Sequence, residues 1–83
     1  MMDIKKGDKI KVVKAFDFEG MHFKKGQVGK VLGTHTFLVC VEWRKEYEYM
    51  HDGGNCDADY GKPRHCWWIR KDVFEANCLI VNK

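Results

Sequence analysis

The run Phe37-Leu38-Val39-Cys40-Val41-Glu42-Trp43 restricts this chain more than any other segment. Phe37, Val39, Val41 and Trp43 recur at every second residue and are all large and apolar, while Leu38, Cys40 and Glu42 fall between them. Strand side chains alternate between faces with a period of two, so this pattern is that of a strand with one face in a core. It predicts Phe37, Val39, Val41 and Trp43 inward and Cys40 on the outer face. A strand needs partners, and the rest of the chain supplies several short ones.

Asp8 to Lys14 alternates Ile10 and Val12 with Lys9 and Lys11, the signature of a half-buried strand. Ala15 to Gln27 keeps neither period and reads as a structured loop pinned by Phe16, Phe18, Met21 and Phe23. Val28 to Leu32 is a short strand, and Gly33-Thr34-His35-Thr36 a tight turn into the 37–43 run. Glu46 to Arg64 holds Gly53-Gly54, Gly61 and Pro63, which rules out a long regular element and implies a long loop or splayed hairpin tip. His65 to Ile69 reads as a strand, Arg70 to Phe74 as about one turn of tight helix, and Cys78 to Val81 as a closing strand. The expectation is five strands near 8–14, 28–33, 36–44, 65–69 and 77–81, no helix beyond about two turns, and burial of Ile10, Val12, Val31, Val39, Val41 and Ile69.

Eighty-three residues suit one domain, 1–83, since two cores would each approach the size that needs disulfides or metals. With 45% hydrophobic residues the chain can fill one core, and 33% charged residues can solubilise its outside. No run approaches the roughly 20 apolar residues of a membrane span, and the first residues lack the apolar stretch of an export signal, so a cytoplasmic protein without membrane contact is expected. In that compartment Cys40, Cys56, Cys66 and Cys78 are expected as free thiols.

This order of elements, an all-β chain of five short strands with long loops and a helical turn before the last strand, resembles the SH3-like small barrel shared by KOW, Tudor and many phage-encoded modules. More narrowly, K-G-D-K-I-K-V-V-K at 6–14, F-K-K-G-Q-V-G-K-V at 23–31, V-C-V-E-W at 39–43, H-D-G-G at 51–54 and H-C-W-W-I at 65–69 with V-F-E at 73–75 resemble uncharacterised small bacteriophage proteins. The resemblance covers nearly the whole chain. It implies an SH3-like fold and a phage or prophage origin, so that the work is done in the host cytoplasm, and it transfers no catalytic or binding residue.

Residue chemistry argues against an enzyme. The chain contains no serine, which excludes serine nucleophiles, and no phosphate-binding glycine loop. A Cys66 thiolate made by His51 or His65 is conceivable chemically, but so small a fold leaves little room for a substrate cleft. No cofactor is expected. For zinc, His51, Cys56, His65 and Cys66 are suitable ligand types, but their spacing lacks the close ligand pair with which structural sites begin, and adjacent His65 and Cys66 point apart on a strand. The 55–66 segment resembles a calcium loop only briefly, because Tyr60 and Cys66 stand where glycine and glutamate are required.

Two surfaces remain. Residues 1–45 hold ten Lys/Arg against five Asp/Glu, and residues 46–83 five against seven, so one half is basic. Lys9, Lys11, Lys14, Lys24 and Lys25 with interleaved phenylalanines make a KOW-like nucleic-acid surface one alternative; the competing account is that lysine simply solubilises strands and guards edges. From Glu46 to Gly61 there are five acidic residues and no basic one. Trp67 and Trp68 point to opposite faces, so one lies outside unless a loop covers it. With Tyr47, Tyr49, His51, Asp52, Asp57, Asp59 and Tyr60 it has the composition of a protein-binding hot spot. The leading expectation is a non-enzymatic interaction module that binds a host or phage protein there; inhibition of a host machine, defence systems included, is what the phage resemblance implies. A zinc-stapled module is the third expectation.

Overall fold

The structure, a computed structural model, describes residues 3–44, 50, 53–55, 58–60 and 64–81. In chain order the elements are β1 (Lys9–Val12), β2 (Phe16–Phe18), β3 (Met21–Phe23), β4 (Val28–His35), β5 (Leu38–Trp43), β6 (Gly53–Asn55), β7 (Ala58–Tyr60), β8 (Cys66–Arg70), α1 (Lys71–Asn77) and β9 (Cys78–Ile80). The fold is all-β with one short helix. No helix among the described residues is long and apolar enough to cross a membrane.

Among the described residues the main sheet has seven strands: five run β9-β1-β4-β5-β8, every pair antiparallel, and a short β6–β7 hairpin, within the segment expected as a long loop or splayed hairpin tip, joins β4 through β7. The first five are the strands legible in the sequence. They do not close into a barrel, because among the described residues β8 pairs only with β5 and β9 only with β1. The gap between these edges is spanned by α1, which is tied at both ends. Lys71 N–H donates to the Phe37 carbonyl, and the Asn77 carbonyl accepts from Val13 and Lys14 N–H. Phe74, the helix residue with no exposed surface, enters the core.

That core lies on the side of the sheet against which α1 packs. Ile10, Val12, Val31, Val39, Val41 and Ile69 are all fully buried there, with Trp43, Phe23 and Phe74. The 15–27 segment is an ordered hairpin, β2–β3, where the sequence reading placed a loop. Three-residue strands are too short to establish a period; the local signal was Glu19-Gly20, both at positive φ (51° and 83°), as a two-residue hairpin turn requires. Its aromatics do anchor it as expected: Phe16 stacks on Phe23 and Phe23 tilts against Trp43, both at 4.8 Å between centroids.

Three further expectations are corrected. Phe37 is 76% exposed instead of inward, because the chain reverses at Thr36-Phe37 and β5 begins only at Leu38. The expected turn at Gly33 is strand: β4 continues to His35 past an irregularity between Val31 and Gly33. The helix is α-helical over seven residues, longer than the single tight turn predicted. Thr36 carries the reversal at φ 37°, a region that β-branched residues enter only with strain.

Two stability outcomes follow. Phe74→Ala should lower unfolding free energy by about 3–5 kcal/mol in denaturant titration, since it removes the one fully buried side chain of the helix that spans the two sheet edges. Thr36→Gly should raise it by roughly 1 kcal/mol by relieving the positive-φ strain.

Candidate functional site

Directly opposed residues in an antiparallel pair share a face, so the registers determine what lies on the outside of the sheet. Lys9 opposes Lys30, Lys30 opposes Glu42, and Glu42 opposes Cys66, one row across four strands. Val81 joins that row beside Lys9, to whose carbonyl its N–H donates at 2.7 Å. The next row is Leu79, Lys11 and Val28, with Arg44 held beside Val28 by an N–H bond to the Val28 carbonyl. Lys9, Lys11, Lys30 and Arg44 are all exposed. Four cations and one carboxylate therefore occupy a patch two rows deep.

Part of this patch is a cleft of about 450 Å³ lined by Lys9, Lys30, Glu42, Arg44, His65 and Val81, with Val28 and the backbone of Ile10, Gly29 and Trp43 at its floor. Gly29 allows the strands to close here: a Cβ would stand 2.7 Å from the Glu42 carbonyl oxygen and 2.9 Å from a Val41 methyl. His65 is fixed at the rim. Trp43 N–H donates to the His65 carbonyl, and the His65 Nδ1 lies 2.7 Å from the Trp43 carbonyl, which can only accept. Nδ1 therefore carries a proton, and Nε2 is the nitrogen left for other contacts.

Of the basic residues expected from sequence, Lys9 and Lys11 belong to this face. Lys24 and Lys25 sit in the exposed β3–β4 turn, which pairs with β1 through Val12, and Lys14 lies beyond the end of β1; none of the three lines the cleft. Arg44 and His65 were missed as members. Nothing local marks them, because they arrive by pairing with β4 and β5.

The aromatic and acidic surface is placed only in part. Tyr47, Tyr49, His51, Asp52, Cys56 and Asp57 lie outside the described residues, and Asp59 and Tyr60 belong to β7, which meets β4 at Gly33↔Ala58. Trp67 and Trp68 do take opposite faces. Both are half-buried: Trp67 packs on the main core, and Trp68 on a second cluster of Leu32, Cys40 and Cys66. Cys40 does lie on the outer side, as alternation requires, but it is fully buried there with Cys66.

These thiols are chemically quiet. Burial pushes Cys40 up to about 12, with the neighbouring Cys66 and Glu42 adding to the shift, and burial alone pushes Cys78 to about 12. A thiol at such a value is almost wholly protonated near neutrality and a poor nucleophile. Cys40, Cys66 and Cys78 are free thiols, and among the described residues no three metal-ligating side chains gather.

No family model, curated protein or solved structure matches this chain.

The thiols make a pH prediction. A folded-state value raised above the unfolded one contributes stability that is complete below about pH 9 and lost as pH rises through about 12. Unfolding free energy should therefore fall steadily above pH 9, and less steeply in Cys78→Ala relative to its own neutral-pH value.

Proposed function

We propose that this chain is a nucleic-acid-binding module with no chemistry of its own, working through the basic outer face of β9, β1, β4 and β5. The observation that carries it is the opposition of Lys9 and Lys30 beside Arg44 in one cleft. Like charges directly across a strand pair repel by some tenths of a kcal/mol, and Lys9 and Lys30 are such a pair. A polyanion laid in the cleft turns that cost into binding energy, because each neutralised phosphate releases condensed counterions. The face is also walled by aliphatic Val28 and Val81, against which lysine stems can lie while their ammonium groups reach out.

A second reading is a protein partner, held by residues 46–68 and belonging to a phage-type inhibitor of a host protein. Support for it comes from the acidic run and from the surface that Trp68 leaves exposed above its cluster. The half-burial of both tryptophans reduces their value as anchors, which is why it stands second.

Fluorescence anisotropy with labelled DNA at low salt distinguishes them. Lys9→Glu with Lys30→Glu should weaken binding at least tenfold, whereas Lys24→Glu with Lys25→Glu, the same charge change in the β3–β4 turn away from the cleft, should alter it less than threefold. Intact DNA binding by the Lys9/Lys30 variant would remove the sheet face from consideration. Capture of a host protein that depends on Trp68 and not on Lys30 would establish the second reading in its place.

A further inference from the structure

Resting on the nucleic-acid reading, we infer that the ligand is the phosphodiester backbone of a duplex, gripped without regard to sequence, and that Glu42 sets where the contact ends. Three features of the face lead there.

The first is what the face lacks in kind. Around the cleft the described apolar residues with exposed surface are Val28, Leu79 and Val81, all aliphatic; the side chain of Trp43 is turned into the core with 1% exposure, and Trp68, a ring on the same side of the sheet, lies apart on β8, half-buried against Leu32, Cys40 and Cys66. Single strands are held mainly by bases stacking on rings. The one ring among the exposed large hydrophobics, Phe37, stands at the β4–β5 turn, at the opposite end of β4 from the cleft. Among the described residues, the cleft can grip phosphates but has no exposed ring in its lining on which an unstacked base could lie.

The second is the type of cation. Three of the four are lysines, point charges on flexible stems, and one is an arginine. Base edges are read by planar, bidentate groups, while lysines suit phosphates. Lys9 and Lys11 lie about 6.6 Å apart along β1, and Lys30 stands roughly 5 Å across from Lys9. A rigid duplex presents its phosphates already ordered to such an array, and a flexible strand would have to be ordered on binding.

The third is the position of Glu42. It closes the Lys9–Lys30 row on the β5 side and lines the same cleft. A phosphate seated between Lys30 and Arg44 must also approach this carboxylate. Glu42 therefore limits the affinity and bounds the strip, so that binding stays weak and reversible.

The test uses the full chain with three probes: two 20-base-pair duplexes of unrelated sequence and a single strand of the same length, with polyglutamate as competitor. Both duplexes should bind within about twofold of each other and at least fivefold tighter than the single strand. The slope of log affinity against log salt should be about −3 to −4, and Lys30→Gln should reduce its magnitude by roughly 1. Glu42→Gln should bind duplex several-fold tighter. A single-strand preference, discrimination between the duplexes, competition by polyglutamate as effective as by duplex, or unchanged affinity in Glu42→Gln would each overturn the inference. Lys30→Gln supplies the slope if Glu42→Gln has an altered melting temperature. Absence of binding to every nucleic acid would instead end the parent reading, so the two failures are distinguishable.

Discussion

Strand β4 is shared by three neighbours, and the rest of the molecule is arranged around that sharing. Its eight residues, at about 3.3 Å each, match the 25 Å width of the whole protein. The first half pairs with β1, Gly33 in the second half meets β7, and β5 runs alongside nearly throughout. The irregularity at Leu32 lies where one neighbour gives way to the other. Alternation sends consecutive residues to different clusters: Val31 packs in the main core and Leu32 in the outer one with Cys40 and Cys66. Leu32 shares its side of the strand with Lys30, so an otherwise wet face carries a second dry patch where its residues turn apolar.

That division explains why the outer face has two characters. Toward the start of β4 the outer side chains are Lys30 and, across the ladder, Lys9, Lys11 and Arg44; further along they are Leu32, Cys40, Cys66 and Trp68. The buried half removes the thiols from chemistry and partly covers Trp68. The charged half is left as a cleft with backbone at its floor, where Gly29 lets β4 and β5 approach closely. This half of the face is where the fold gathers Lys9, Lys11, Lys30 and Arg44, drawn from β1, β4 and the end of β5.

Much of the fold was readable because it follows from alternation. The residues expected in the core from period-two patterns are there, since strand geometry makes facing a local property. What escaped was set by chain reversal. Phe37 belongs by parity to the inward set, yet the turn consumed it; placing that turn depends on which residues pair across β4 and β5, and Thr36 at positive φ is a poor local advertisement for it. The β2–β3 hairpin was likewise hidden by strands of three residues, though its Glu19-Gly20 turn was visible in principle.

The candidate site divides along the same line. From sequence alone come the strand periods, the inward faces, the basic first half, and Lys9 and Lys11 on the wet side of β1, because each depends on neighbours one or two residues away. The meeting of Lys9 with Lys30, of Lys30 with Glu42, and of both with Arg44 and His65 was decided by tertiary structure. Those residues lie up to 56 positions apart, and a shift of one residue in either register would turn Lys30 inward and leave no cleft. Register is chosen by the packing of Val31, Val41, Trp43 and Ile10 in the core, so the charges on the outside are placed by the apolar residues on the inside.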